Sequence, residues 1–261
     1  MTKLDLNSIT VCDKLTWAII PARAGSKGLI RKCMRTVGGT SLIGRAVKSA
    51  EAAISVNDVF CNTDDHEFME EARFYGAKVP FMRPDHLAQD DSSCIDLINH
   101  FLKGSARINQ VLPEYLLLIQ PTTPLLQADD IDAAFKLLEE NTDAVVSVCE
   151  TEVMPDWLRR SDDDGFLTVL NKLDTAQHSP RQKMSKTWRL NGGLYWVRIK
   201  TYVAEQSFLP EKTRHYEMPR ERSIDIDTEM DLKYANFLLG DDDETVNPFT
   251  GLLNNTVEVT L

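Results

Sequence analysis

The apolar run Trp17-Ala-Ile-Ile-Pro-Ala22 stops abruptly at Arg23-Ala-Gly-Ser-Lys-Gly28, and further cations follow at Arg31, Lys32 and Arg35. A short unbroken apolar segment reads as a strand covered on both faces. Two glycines and a serine then let the chain turn tightly with its backbone N–H groups available. No acid occurs between Asp13 and Glu51, in a chain with a formal net charge of -11. Positive charge gathered on one loop of an acidic chain points to an anionic ligand. A nucleoside triphosphate fits, because loop N–H groups cradle phosphate oxygens and Lys and Arg neutralise the remaining charge. The bland alternative for Gly25-Ser-Lys-Gly28 is a solvated turn. The loop is neither G-x-x-x-x-G-K-[ST] nor G-x-G-x-x-G, so the phosphate-loop kinase and dinucleotide-binding motifs are both absent.

The rest of the chain alternates between two periods. After the strand at residues 16–20, Thr40 or Ser41 caps a helix with Leu42, Ile43, Ala46, Val47, Ala50 and Ile54 inward. A short strand at residues 59–61 precedes a helix capped by Asp64 and closed by Gly76. A third strand is expected at residues 79–81, and a helix opening at Ser92 or Ser93. Residues 115–119 and 144–149 are apolar runs suited to buried strands, with a helix at 129–138 between them. This alternation predicts a doubly wound α/β fold around a mostly parallel sheet, with the ligand beyond the carboxyl ends of the strands. Residues 151–190 break the pattern and read as an arm. Strand character returns at 193–199, and a last helix with Leu232, Ala235 and Leu239 ends at Gly240. The tail at 241–261 opens with acids and is expected to be loose.

Few other residues carry chemistry. Ile224-Asp-Ile-Asp227 alternates apolar and acidic residues, so as a strand it projects both carboxylates from one face. Such a pair holds Mg²⁺ against a triphosphate; the alternative is that Asp227 only caps the next helix. Gln120 leaves a central strand at its carboxyl end, suited to bonding a polar substrate or to tying down its own loop. Arg181, Lys183, Lys186 and Arg189 form a second basic cluster, either a solvated face or a site for an acidic second substrate. The five histidines lack metal-ligand spacing, and the five widely spaced cysteines read as reduced thiols of a cytoplasmic protein. Acidic balance excludes a general nucleic-acid binder. The first residues lack a signal-peptide layout, and no run reaches membrane-span length.

Several blocks in this order resemble the N-acylneuraminate cytidylyltransferases, the CMP-sialic acid synthetases, over residues 17–239. They are Ala22-Arg-Ala-Gly-Ser-Lys-Gly-Leu-Ile-Arg-Lys32, Asn62-Thr-Asp-Asp65, Arg83-Pro-Asp-His-Leu-Ala-Gln-Asp90, Gln120-Pro-Thr-Thr-Pro124, Pro180-Arg-Gln182, Arg189-Leu-Asn-Gly-Gly-Leu-Tyr195 and Ser223-Ile-Asp-Ile-Asp-Thr228. The resemblance implies one nucleotidyltransferase domain across residues 1–261, with residues 151–190 as a dimerisation and sugar-binding arm of a homodimer. It implies that Arg23, Ser26, Lys27 and Lys32 bind the CTP phosphates, with Arg83 and Ser93 near the base. It places Gln120, Arg181, Arg189 and Tyr195 on an acidic nine-carbon sugar. Asp225 and Asp227 would hold Mg²⁺, with Arg23, Lys32 and Asp227 as the catalytic set. The expected reaction moves CMP from CTP onto the anomeric hydroxyl of a sialic-type acid and releases pyrophosphate. Alternatives are the same reaction on legionaminate, pseudaminate or a deoxyoctulosonate, or a nucleotide-binding relative with impaired catalysis. Three departures accompany the match: Cys33 where the family has Asn, Cys94 where it has a serine, and Ile30 where it has Pro.

Overall fold

The computed structural model describes residues 10–26, 28–151, 153, 157–169 and 186–240. Its centre is a six-stranded sheet. The strands are β1 (Thr10–Ala22), β4 (Asp58–Thr63), β5 (Val111–Ile119), β6 (Ala144–Glu150), β9 (Trp188–Arg198) and β10 (Thr213–Glu217). They lie in the order β10-β6-β9-β5-β1-β4. β1 pairs in parallel with both β4 and β5, and β10 in parallel with β6, while β9 runs antiparallel between β5 and β6. The expected mostly parallel sheet is therefore present.

Strand periodicity explains the unbroken apolar runs. Ala18, Ile20 and Ala22 of β1 face one core, and Trp17 and Ile19 face the other. The first core receives α1 (Leu42–Glu51), α2 (His66–Phe74) and α4 (Ala128–Phe135) through Ile43, Val47, Phe68, Ala72 and Ile131. The second receives α3 (Cys94–Asn109) and α5 (Ile199–Glu205) through Ile98, Phe101, Leu102 and Tyr202. A strand buried on both faces must be apolar at every position, and helices on both faces are what the sequence predicted. A third, smaller cluster joins Leu29 of the glycine loop to Ile226 and to Leu232 and Ala235 of α6 (Glu229–Leu238). It packs the last helix beneath the loop.

Several local expectations are corrected. Residues 79–81 form no strand: Lys78 makes one bridge to Phe60, and Pro80 has no N–H to continue it. The α2 cap is Asp65, which accepts from the N–H groups of Glu67 and Phe68, and not Asp64. Ile54 lies beyond the end of α1 and is exposed, as is Leu239 beyond α6. Residues 224–227 belong to no sheet; Ile226 N–H donates to the Thr122 carbonyl, and Asp227 N–H to Asp231 Oδ2 at 3.1 Å. The end of the proposed arm, from Trp188, belongs to β9. Within residues 157–169 lies a hairpin of β7 (Arg159–Ser161) and β8 (Leu167–Val169). A small ribbon, β2 (Thr36–Val37) with β3 (Thr40–Ser41), leads into α1, and Ser41 caps that helix by accepting from Gly44 N–H. Lys27, Arg181, Lys183 and the tail at 241–261 lie outside the described residues.

Candidate active site

A cleft of about 730 Å³ opens at the carboxyl ends of β1 and β5. Of the predicted residues, Arg23, Ser26, Lys32, Arg83, Gln120, Asp225 and Asp227 line it together, along with two of the three departures, Cys33 and Cys94. Residues widely separated in sequence thus share one concavity, as an anion site with metal ligands requires.

The loop that forms one wall is held on both sides of its turn. Ala24 N–H donates to Asp64 Oδ1 at 3.1 Å. Gly28 passes so close to Asp227 that an added Cβ would stand 2.7 Å from its carbonyl oxygen. Leu29 is buried in the third core cluster. Arg31 sits in the left-handed region at φ 51° and caps the 3-10 turn Lys32–Met34. Its guanidinium donates to both carboxylate oxygens of Asp65 and to Glu67, and lies 4.7 Å from the Phe68 ring centroid. The fork holds the Asp65 carboxyl below its ordinary value, and the pairing holds Arg31 above its own. Arg35 then binds Glu229 in the first turn of α6 through two bonds of 2.6 and 2.8 Å.

The cleft cations have partners. Arg23 donates to the Gln89 carbonyl at 2.7 Å and pairs with Asp90 at 3.1 Å. Lys32 Nζ lies 2.9 Å from Asp227 Oδ1, with the lysine largely covered and the carboxylate open. Arg83 is 4% exposed, and its Nε donates to Asn62 Oδ1 at 2.8 Å while Nη2 donates to the Asn62 carbonyl. Burial lowers the Arg83 guanidinium, and nearby Asp64 opposes that effect. Asn62 is the residue that sequence reading did not assign. The signal was its place at the carboxyl end of a strand, in the same block as Asp64.

The carboxylates stand opposite the loop. Ile226 is buried between Asp225 and Asp227, so both acids face the cleft although their segment is no strand. Partial desolvation raises the Asp225 carboxyl, and the nearby Asp227 adds to that, while a hydrogen bond with Thr122 opposes it. Arg222, just upstream, grips the buried carboxylate of Asp130, which also accepts from Tyr216 at 2.9 Å. This anchor fixes where the acidic segment begins. The donor set fits Mg²⁺: two hard carboxylate oxygens on one wall leave the remaining positions to water and phosphate, as that ion prefers. Among the described residues, no group of three or more His, Cys, Asp and Glu side chains assembles elsewhere into a metal site.

Other predicted residues stand at the margin. Ser93 caps α3 by accepting from Ile95 N–H, and its neighbours Ser92 and Cys94 line the cleft in its place. Arg189 donates to the Ser223 carbonyl at 2.8 Å, beside the acidic segment. Tyr195 lies half-buried on β9, its phenol raised by burial and by nearby Asp225. Gly192 takes φ 78° against Gln120, where an added Cβ would meet Oε1 at 2.8 Å. Burial pushes the Cys33 thiol up to about 11 and the Cys61 thiol up to about 12.

Residues 17–231 match the family model described as cytidylyltransferase. The chain belongs to the cytidylyltransferase family. This cytidylyltransferase-family chain is 31% identical over 215 residues to the CMP-N,N'-diacetyllegionaminic acid synthase of Legionella pneumophila, covering 82% of its own length and 91% of that protein. It is also 31% identical over 216 residues to the N-acylneuraminate cytidylyltransferase of Streptococcus agalactiae, here spanning half of the relative's length. The pseudaminic acid cytidylyltransferase of Campylobacter jejuni is 26% identical over 221 residues, 84% of this chain and 94% of that one. In fold it is similar to a CMP:2-keto-3-deoxy-manno-octonic acid synthetase complexed with CTP, at a TM-score of 0.62 and 15% identity, covering 87% and 98% of the two chains. None of its described helices is long and apolar enough to cross a membrane.

Proposed function

We propose that this protein transfers CMP from CTP to the anomeric hydroxyl of a nonulosonic acid of the sialate or legionaminate type, releasing pyrophosphate. The observation that carries this reading is the Lys32–Asp227 contact, which joins a cationic glycine loop to a pair of carboxylates across one cleft. The relatives that act on such acids by name support the sugar class.

In this reading the loop N–H groups, Ser26, Lys27 and Lys32 receive the triphosphate, and Arg23 adds to its neutralisation. Arg83, fixed by Asn62, bounds the base end with Cys33 and Cys94. Gln120, Arg189, Arg181 and Tyr195 take the sugar, whose carboxylate gives the second basic cluster its anion. Asp225 and Asp227 hold Mg²⁺, which when bound neutralises phosphate charge and polarises the α-phosphate. The anomeric hydroxyl gives up its proton to solvent, its oxygen bonds to the α-phosphorus as the bond to the bridging oxygen breaks, and pyrophosphate carries away the electron pair. Catalysis of this kind rests on alignment and charge neutralisation. Lys32 and Arg23 stabilise the charge that grows on the leaving phosphates.

The same reading includes a homodimer formed through the arm and a cytoplasmic place of action. Trp157, Leu158, Phe166, Leu167 and Val169 are all exposed on or beside the hairpin, which supports burial of the arm against a second copy. The test is turnover with CTP and Mg²⁺ across sialate, legionaminate, pseudaminate and a deoxyoctulosonate, read as the CMP-sugar by mass. A product with one of the first two supports the assignment. Product with the octulosonate alone would refute the sugar class, and CTP binding without product from any acid would mark an impaired relative.

A further inference from the structure

Two adjacent acids at the carboxyl end of β4 reach opposite ends of the cationic loop. At its beginning, Asp64 Oδ1 accepts from Ala24 N–H at 3.1 Å. At its end, Asp65 accepts from Arg31 Nη1 at 3.1 Å and from Nη2 at 3.2 Å. Asp65 is itself rooted in α2, because the same carboxylate caps the helix through Glu67 N–H at 2.8 Å and Phe68 N–H at 3.1 Å. Glu67 and the face of Phe68 complete the grip on Arg31. Arg31 is held in the left-handed conformation, which a residue with a Cβ adopts only when its surroundings compensate. Neither Asp64 nor Asp65 lines the cleft. Both are therefore spent on the loop and not on a ligand.

We propose that Asp64 and the Arg31–Asp65 fork are positioning residues, a two-point clamp that sets the loop in its triphosphate-binding shape before CTP arrives. A loop of this length with two glycines has many conformations in solution, and ordering it at the moment of binding would lower affinity. The clamp removes that cost by tying both loop ends to the rigid junction of β4 and α2. Lys32 directly follows Arg31, so the fork also fixes the lysine that meets the phosphates. This inference rests on the reading of the loop as the triphosphate site.

The experiment compares Asp64→Ala, Asp64→Asn, Arg31→Lys and Arg31→Gly in the full-length protein. CTP affinity is measured by calorimetry without sugar, amide exchange is measured across residues 23–32, and kcat and KM are measured for each substrate. Asp64→Ala and Arg31→Gly are expected to weaken CTP roughly tenfold, with faster loop exchange and an unchanged KM for the sugar. Asp64→Asn keeps an acceptor oxygen in place and is expected to restore near wild-type behaviour. Arg31→Lys loses the fork and is expected to fall between. Unchanged loop exchange and CTP affinity in folded Asp64→Ala and Arg31→Gly would overturn the clamp. Equal loss in Asp64→Asn and Asp64→Ala would also overturn it, since charge and not the held loop would then matter. Wild-type protein that binds no CTP refutes the reading of the loop itself, whereas loop exchange judges the clamp separately.

Discussion

Lys32 Nζ and Asp227 Oδ1 meet at 2.9 Å across the cleft, joining the cationic loop to the carboxylate pair although 195 positions separate them in sequence. Each compensates the other's charge before substrate is present. Arrival of the triphosphate with its cation offers each a stronger partner: phosphate for the lysine and the metal for the carboxylate.

Removing either side should therefore have different consequences. Lys32→Met is expected to lower kcat by roughly 10²-fold or more, the scale of losing one preorganised donor to transition-state charge. Asp227→Asn is expected to abolish turnover with circular dichroism unchanged. Without divalent cation, Asp227→Asn should bind CTP at least as well as wild type, because Lys32 has lost its competing anion. Calorimetry with and without Mg²⁺ checks this. Weaker metal-free CTP binding by Asp227→Asn would contradict the arrangement.

Gly28 owes its identity to the same juncture. A methyl group there would stand 2.7 Å from the Asp227 carbonyl oxygen, a backbone atom that cannot swing away. Gly28→Ala is expected to separate the loop from the acidic segment and to cost activity far more than stability. The check is a thermal melt within a few degrees of wild type together with at least a tenfold fall in kcat/KM, since a misplacement of about 1 Å is enough for such a loss.

The Arg31–Asp65 fork has a pH signature. Arg31 holds the folded-state Asp65 carboxyl below its ordinary value, so the unfolded chain binds the proton first as pH falls. The contribution is fully present above the ordinary carboxylate value of about 4 and is lost as pH falls through the depressed one. Carboxyl-carbon NMR should find Asp65 titrating below a typical aspartate in wild type and moving upward in Arg31→Met. The same midpoint in both proteins would contradict the fork.

Thiol chemistry provides a map of the cleft. Cys12 and Cys94 are exposed, whereas Cys33, Cys61 and Cys149 are buried. Burial raises both Cys33 and Cys61 far above neutrality, which removes the reactive thiolate. A small maleimide at neutral pH is expected to label Cys12 and, more slowly, Cys94, whose thiol is exposed but raised by partial desolvation, and to spare the three buried thiols. CTP should slow labelling of Cys94, which lines the cleft, and leave Cys12 unaffected. Peptide mass mapping reads both outcomes, and equal labelling of Cys94 with and without CTP would place the nucleotide elsewhere.

How legible these features were in the sequence depended on whether local pattern decided them. The strand-loop-helix order was readable because buried strands and amphipathic helices carry different periods. The facing of Asp225 and Asp227 was readable from their alternation around Ile226, but sheet membership was not, since that depends on a neighbouring strand and here Thr122 supplies one bond. Asp64 and Asp65 were locally equivalent as caps, and the choice was made by Ala24 and Arg31, far away in sequence. The anchoring of buried Arg83 by Asn62 likewise spans 21 positions and left no periodic trace. Ser93 shows the reverse case: its capping role followed from local spacing, and that role directs its hydroxyl to the α3 backbone.

CMP transfer from CTP shows itself as pyrophosphate release. Purified protein with Mg²⁺ would be offered CTP, UTP, ATP and GTP in turn, with sialate or legionaminate as acceptor, beside the Asp227→Asn variant. Acceptor-dependent release is expected with CTP, little with the other nucleotides, and none from the variant. Release from UTP or ATP matching that from CTP, or undiminished release from Asp227→Asn, would contradict that expectation.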